Sequence, residues 1–493
     1  MEITGLPYEK KPRSENLNHR RKGFNNAGNP TCIECFKKNL LIDELRAEAS
    51  KLRAKLAYDV KKTGRLPNGP HVPSSKIDLK PNSKADLRKK IGGAKKGHKG
   101  HGRKSVHEGV ADECSTLDLS ESDFCDCGGK LHCLGSRERS VIEAAPIKAK
   151  QILFTLQRYR CLKCRRITEK KPSVLPKCLY GNRLLSQAAV MHYFHGVTIG
   201  KLLDMFGPNV TEGGLIQAFH RLGKFCAQAN ANLIDDFRSA PVRHADETGW
   251  RNDGHSGYAW LFTCENTSIL EFANSRAASV AHKIIGAEPL SGTLVVDRYA
   301  AYNKMPVTLQ YCYAHLLREV EKLDEEFPDN EEVSLFTAKL IPLLSLAMKL
   351  RGLDISDRKF YQRAKDLKKD IIAVMHLDCR HLGIERIQRI FLENANRLYQ
   401  WVKDRRVPAD NNKAERELRP TVIARKVSFG SQSDAGAKTR GSIMTVLFTA
   451  RKRLAGRQAL EDWLHNALDQ LAQNKEVKFH ELLPTMSVIK SHR

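Results

Sequence analysis

The sequence lacks any apolar run long enough to cross a lipid bilayer. Its longest, such as Leu340–Met348, is about nine residues, against the roughly 20 that a spanning helix needs. It also lacks a secretion signal. Met1–Arg21 is polar and basic, with no apolar stretch behind the charges. A disulfide framework is missing too: 13 cysteines in 493 residues are too sparse for the stapled scaffolds of small secreted domains. Together these absences point to a cytoplasmic protein with no membrane partner. Acid is the other shortage, with 56 Asp+Glu against 83 Lys+Arg and a net charge of +27. An excess of this size fits a polyanionic partner, because cations lined along phosphates release condensed counterions.

A chain this long exceeds the size at which one core keeps growing, and two to four domains are expected. The positive charge is uneven. Residues 1–110 hold 26 Lys+Arg and 11 Asp+Glu. Residues 1–37 read as a polar tail. In 38–60, Ile42, Leu45, Ala49, Leu52 and Leu56 fall on a and d positions of two heptads, which reads as a short coiled coil or as a helix packed on its own domain. Residues 61–110 read as a basic arm. Pro67, Pro70, Pro73 and Pro81 interrupt regular structure there, and the stretch Gly92–Arg103 is too polar to bury a core. The arm either lies on nucleic acid or serves as a solvated linker.

Cysteines and short alternating stretches cluster over 111–175. Residues 180–236 read as helical, and Val197–Phe206, the Gly207-Pro208 break and Thr211–Phe225 have helix-turn-helix spacing. In that arrangement Gln217, His220 and Arg221 would face a groove. From 240 the pattern turns to strands: Val242–Thr248, Tyr258–Cys264 and Ser268–Ala273 predict an antiparallel meander around the turn residues Asn252-Asp253-Gly254. A helix over 277–286, strands at Thr293–Val296 and Leu309–Tyr313, and helices through 316–400 follow. That order is the order of a ribonuclease H-like fold. The whole reads as a multidomain α+β / α/β chain, with a sheet-containing domain over 240–450 and a helical segment over 451–493.

Three carboxylates stand out in that frame. Asp246 lies on the first strand, Asp297 ends the apolar run Thr293-Leu-Val-Val, and Glu415 sits in a short helix that Asn411 or Asn412 can cap and Pro420 can limit. Neighbouring strands would bring the aspartates side by side, with the helix carrying the glutamate over them. Such a cluster suits two Mg²⁺ (or Mn²⁺) ions in phosphodiester chemistry, since hard cations take oxygen ligands. The blander reading makes the aspartates turn-formers and pairs Glu415 with Arg419 at i+4. Glu247 points to the opposite strand face from Asp246, and Glu417 lies about 200° around the helix from Glu415.

Five segments carry a family resemblance: His244-Ala-Asp-Glu-Thr248, Val296-Asp-Arg-Tyr-Ala-Ala-Tyr302, Cys312-Tyr-Ala-His315, Asn411-Asn-Lys-Ala-Glu-Arg-Glu-Leu-Arg-Pro420 and Gly430-Ser-Gln-Ser-Asp-Ala-Gly436. With them the chain resembles the insertion sequence 66 family of bacterial transposases, over most of 38–470. The resemblance implies a DDE transposase that binds its element's ends, cleaves strands by metal-dependent hydrolysis and joins 3′-hydroxyls to target DNA. It implies that Asp246, Asp297 and Glu415 are the catalytic residues, and that the helices of about 320–400 are an insertion in a catalytic domain over 240–450, between the second aspartate and the glutamate helix. His315 matches a family position and would either orient DNA or water, or be structural. The implied partners are DNA and at least a second copy of the chain, with the need for accessory proteins left open. Arg416, Arg419, Arg425, Lys426, Lys438 and Arg440 are read as a group that tracks the phosphate backbone.

Cys125, Cys127, Cys161 and Cys164 would supply four thiolates for a structural Zn²⁺ in a zinc-ribbon-like domain over 111–175. Similar family members have a CxxC first pair, and here Phe124 takes the first position, so Cys114 or Cys133 could replace one ligand. The lone pair Cys32 and Cys35 carries no assignment.

Overall fold

A two-stranded antiparallel hairpin opens the described part of the chain. It pairs β1 (Arg158–Arg160) with β2 (Ile167–Glu169), Tyr159 opposite Thr168. The computed structural model describes residues 147–169, 172–454, 460–474 and 476–485. The polar tail, the leucine-rich 38–60 segment, the basic arm, and Cys125 and Cys127 lie outside the described residues.

Four helices follow: α1 (Asn182–Ala189), running directly into a π-turn at Val190–Phe194, α2 (Ile199–Phe206), α3 (Glu212–Ala227) and α4 (Asn230–Ser239). Thr198 and Thr211 cap α2 and α3, their hydroxyls accepting from the N–H groups of Lys201 and Gly214, the usual way to satisfy an open first turn. The helix, turn and helix expected at 197–225 are therefore present. Their outward face is smaller than expected. Gln217 is exposed, but His220 Nδ1 lies 2.7 Å from Thr439 Oγ1 and is turned inward.

The central sheet comprises β3 (Val242–Asn252), β4 (His255–Thr263), β5 (Ser268–Ala273), β6 (Leu290–Val296) and β7 (Val307–Tyr311), with α5 (Ala278–Ile285) between β5 and β6. Its order is β5-β4-β3-β6-β7. β3, β4 and β5 are antiparallel, whereas β6 runs parallel to both β3 and β7. The strand β3 is longer than its sequence pattern predicts. Trp250 near its end is buried against Phe272, ring centroids 5.0 Å apart, and this packing carries pairing on to Asn252.

After β7 come α6 (Tyr313–Glu326), α7 (Glu331–Leu350), α8 (Asp357–Met375) and α9 (Leu382–Glu393), then two single-turn helices, Ala395–Leu398 and Gln400–Lys403. Three more follow, α10 (Asn412–Ser428), α11 (Asp434–Arg453) and α12 (Leu460–Gln473), and a short 3₁₀ turn at Phe479–Leu482 comes last among the described residues. By length and composition α7 is apolar enough to cross a membrane, yet its Val333, Phe336, Leu340 and Leu344 are buried in the protein core. Helix α10 runs through Pro420, which the sequence suggested would limit it.

Two apolar cores cover the two faces of the sheet. Trp260, Phe262 and Ile269 join α6–α9 in one; Leu261 and Leu270 join α1–α4, α10, α11 and α12 in the other. The period-2 alternation of a strand divides them. It also assigns faces at the residues that matter. Cross-strand partners share a face, so Asp246, opposite Leu261, looks toward α10, and Glu247, opposite Trp260, looks away from it.

Candidate active site

The register of β3 and β6 sets the two aspartates beside each other. Val242 pairs with Thr293, Arg243 with Leu294 and His244 with Val295. The same offset carried two residues further places Asp297 next to Asp246, at the end of β6 and on a strand spacing of about 4.8 Å. Each carboxylate is tied to the backbone just after it: Asp246 Oδ1 accepts from Glu247 N at 3.0 Å, and Asp297 Oδ1 from Tyr299 N at 2.9 Å. Among the described residues neither forms an ion pair.

Glu415 arrives on the first turn of α10, where a negative charge is favoured by the helix dipole. Ala414, Leu418, Thr421 and Ala424 form the buried stripe of that helix. Asn411, just before it, is 1% exposed and makes no cap bond with its side chain. Instead its Nδ2 donates to Ala245 O at 2.8 Å and its Oδ1 lies 2.9 Å from His244 Nδ1. Its own N–H donates to Cys312 Sγ at 3.1 Å, and Tyr313 N donates to Ala409 O at 2.9 Å. One residue thus joins β3 immediately before Asp246, the end of β7, and the start of the glutamate helix. Burial pushes His244 down to about 3; the ring is neutral and donates to Asn411 from Nδ1.

Around these groups the charges crowd. Burial first, then Glu247, Asp297 and Glu415, raise the Asp246 carboxyl well above the usual carboxylate range. Glu415 is held by Arg318, whose Nη2 lies 3.1 Å from Oε2, and not by Arg419. His315 stands in the first turn of α6, with Nδ1 3.7 Å from Glu415 Oε1 and no hydrogen-bond partner in its buried position. Sequence reading put this histidine at a strand end. The strand stops at Tyr311 instead, and the helix starts at Tyr313. Burial and Arg318 pull the His315 imidazole below its ordinary value.

An unneutralised aspartate pair, a nearby glutamate and an unpartnered buried imidazole nitrogen together fit a divalent cation. Cys312, His315 and Glu415 also bring ligand atoms within 4.8 Å of one another. Asp246 and Asp297 are outside that group. Burial pushes the Cys312 thiol up to about 11, and a soft sulfur suits a hard ion poorly, so the oxygen donors are the better match.

The neighbouring acids have other work. Glu247 accepts from Tyr302 Oη at 2.6 Å and pairs with Arg276 at 2.6 Å. Glu417 accepts from Thr263 Oγ1 at 2.9 Å and from Ser268 Oγ, and pairs with Lys452 at 2.9 Å. Of the six basic residues, Arg416, Arg419, Lys426 and Lys438 are exposed. Arg425 donates to Gly249 O at 2.9 Å, fastening α10 to β3. Arg440 is buried, 2.9 Å from His192 Nε2 and over the rings of Tyr193 and Trp250; it packs the core and does not reach the surface. Cys161 and Cys164 are exposed free thiols in the β1–β2 loop, with Cys164 N donating to Cys161 Sγ at 3.5 Å. That backbone bond lowers the Cys161 thiol.

Sequence reasoning missed the joining role of Asn411 and the grip of Arg318 on Glu415. Asn411 and Cys312 did lie inside segments singled out earlier, but only tertiary packing shows that their atoms meet.

Comparison with known proteins gives one family match: the family model described as "Transposase IS66 family" matches residues 177–439. Two relatives come from Sinorhizobium fredii (strain NBRC 101917 / NGR234). The "Uncharacterized protein y4qI" is 26% identical over 329 residues, 59% of this chain and 59% of its own length. The "Uncharacterized protein y4hP" is 23% identical over 411 residues, 73% of this chain and 72% of its own.

Proposed function

The chain belongs to the IS66 family of transposases, and from that premise we propose that it is a DDE enzyme that cuts and joins DNA at Asp246, Asp297 and Glu415. The observation that carries the reading is the side-by-side placement of Asp246 and Asp297 on parallel strands, beneath a helix bearing Glu415 that Asn411 fastens to the same strand. The sheet order, three antiparallel strands continued by two parallel ones, supports a ribonuclease H-like core with α6–α9 as its helical insertion.

In this reading the three carboxylates hold Mg²⁺ or Mn²⁺, which when bound supplies Lewis-acid activation of the attacking oxygen and stabilisation of the departing one. The chain's own groups do the rest. Asn411 fixes where Glu415 stands relative to β3. Arg318 pairs with Glu415 and neutralises it. His315, unpartnered at Nδ1, orients water or a DNA hydroxyl beside the carboxylates. The exposed Arg416, Arg419, Lys426 and Lys438 bind phosphates. In the first reaction water attacks a phosphodiester at each element end, the P–O3′ bond breaks and a free 3′-hydroxyl leaves. In the second that hydroxyl attacks a target phosphate and displaces a target 3′-oxygen, with no covalent protein intermediate.

The wider assembly follows the same reading: at least two copies of the chain hold two ends, in the bacterial cytoplasm at the nucleoid. Cys161 and Cys164 would hold a structural Zn²⁺ together with Cys125 and Cys127, or with Cys114 or Cys133 in place of one of them. The helical segment 180–236 contributes to DNA binding, with His220 directed inward.

The test is a gel assay with the element's end sequences, a plasmid target and Mg²⁺. Asp246→Asn, Asp297→Asn and Glu415→Gln each abolish nicking and joining while end binding survives. Strand transfer retained by any of the three rejects the assignment. Sequence-specific binding without nicking by the unmutated protein would identify a DNA-binding regulator, and hydrolysis without joining would identify a nuclease.

A further inference from the structure

The outward face of α10 carries an aromatic residue that the reaction chemistry leaves without a role. Helical headings place Arg419 and Lys426 within about 40° of Glu415, so the catalytic carboxylate and these two exposed cations share a ridge. Arg416 flanks it, and Ile423 and Val427 beside it are 52% and 45% exposed. At the end of the ridge stands Phe429, 70% exposed, in the left-handed backbone region at φ +60°.

Holding phenylalanine there is unfavourable twice over. A left-handed backbone costs a non-glycine residue on the order of 1 kcal/mol or more, and the exposed ring gains nothing from burial. The surrounding structure nevertheless enforces it. Phe429 N donates to Arg425 O at 2.9 Å, Ser431 N to Arg251 O at 2.9 Å, and Asp253 N to Ser431 O at 2.9 Å. Gly430, at φ +128°, lies so close to Arg251 that any Cβ would collide with that residue's carbonyl oxygen. Trp250 Nε1 donates to Ser431 Oγ at 3.1 Å. The loop after α10 is thus pinned to the far end of β3, the strand that carries Asp246, and the ring is presented outward from a rigid base.

We propose that Phe429 is a stacking platform for an unpaired or unstacked DNA base on the strand leading to the cleavage site. This deepens the transposase reading above and rests on it. DNA is the occupant that the surface chemistry favours, because exposed cations run along the ridge with exposed apolar side chains beside them, whereas a protein-docking face is depleted of charge at its centre. Aromatic and apolar wedges set among basic residues unstack base steps, and stacking on such a ring tolerates any base. From Glu415 to Phe429 the helix covers about 20 Å. At 3.4 Å per nucleotide step, that places the stacked base about six nucleotides from the reacting phosphate when the strand follows the ridge.

The experiment uses the full chain and forked DNA probes carrying 2-aminopurine at successive single positions on either side of the fork. Fluorescence reports stacking of the probe base, and titration reports affinity. Phe429→Gly is the informative variant, since glycine accepts the left-handed backbone without strain. Its melting temperature equals or exceeds that of the wild type. It binds the forked probe about tenfold more weakly, within the range that base–aromatic stacking supplies, and loses the fluorescence change at one or two adjacent positions. Phe429→Trp retains both. The proposal is overturned if Phe429→Gly binds the fork as tightly as wild type with the same fluorescence, or if it changes only the oligomeric state, which would make the ring a contact between copies. Nicking by Glu415→Gln distinguishes the two readings: activity retained there removes the catalytic assignment, whereas a stacking signal that follows Phe429 can persist without it.

Discussion

Asn411→Ala tests how the glutamate helix is held. The substitution removes two buried side-chain hydrogen bonds, leaving Ala245 C=O and the His244 Nδ1–H facing a small void. An orphaned buried polar group costs about 1–3 kcal/mol, so the pair predicts roughly 2–6 kcal/mol. At about 2–4 °C per kcal/mol for domains of 150–250 residues, and less for larger ones, melting should fall by about 5–10 °C. Because Glu415 stands on the next turn, nicking should also fall at temperatures well below melting, by tenfold or more, as expected when a reacting group is misplaced by about 1 Å. Asn412→Ala, whose N–H donates to Asp410 Oδ1 without using its own side chain, is the control and should leave both nearly unchanged. Thermal melting and nicking at 25 °C on the same preparations provide the readouts. Melting of Asn411→Ala within about 1 °C of wild type, with unchanged nicking, would refute the claim that this side chain positions the helix.

Three further outcomes follow from the electrostatics. The His192 ring accepts from Arg440 at Nε2, donates to Val197 O from Nδ1, and is pushed down to about 4 by burial and that cation. Its contribution is complete above pH 6.5 and is lost as pH falls toward 4, by roughly 3 kcal/mol in all; a pH series of melting temperatures shows the loss, and His192→Gln flattens it. The Asp246 carboxyl is raised, so without metal its ionisation weakens the fold as pH rises through its folded value. In chelator at pH 7, Asp246→Asn should therefore melt higher than wild type, and a lower melting point would contradict the crowding described above. Cys161→Ser should lower the zinc content measured by elemental analysis; unchanged zinc would exclude this thiol as a ligand.

The strand and helix pattern of 242–326 was legible because alternation and turn residues act locally. The pairing of Asp246 with Asp297 was legible only as a topology. Their separation in the chain acquires meaning through the β3–β6 offset, which no single segment encodes. Pro420 misled because a helix interior loses one hydrogen bond there, roughly 3 kcal/mol, while burial of Ala414, Leu418, Thr421 and Ala424 holds α10 together. Arg440 misled for a related reason. Its helix is buried from Ile443 to Ala450 and at Ala437, Thr439 and Gly441, and the aromatic pocket that receives its guanidinium comes from the π-turn and β3. His315 was displaced from strand to helix by an early end to β7, and boundary residues are where local signals are weakest.

The central claim is that Asp246, Asp297 and Glu415 jointly hold the metal. Mn²⁺ binding by the protein on element-end DNA, followed by electron paramagnetic resonance, tests it most directly. The wild type should take up two ions per reacting centre, as two-metal phosphodiester chemistry requires. Each of Asp246→Asn, Asp297→Asn and Glu415→Gln should reduce that uptake while DNA stays bound. A variant carrying all three substitutions that still binds two ions and cleaves at the wild-type rate would contradict the account.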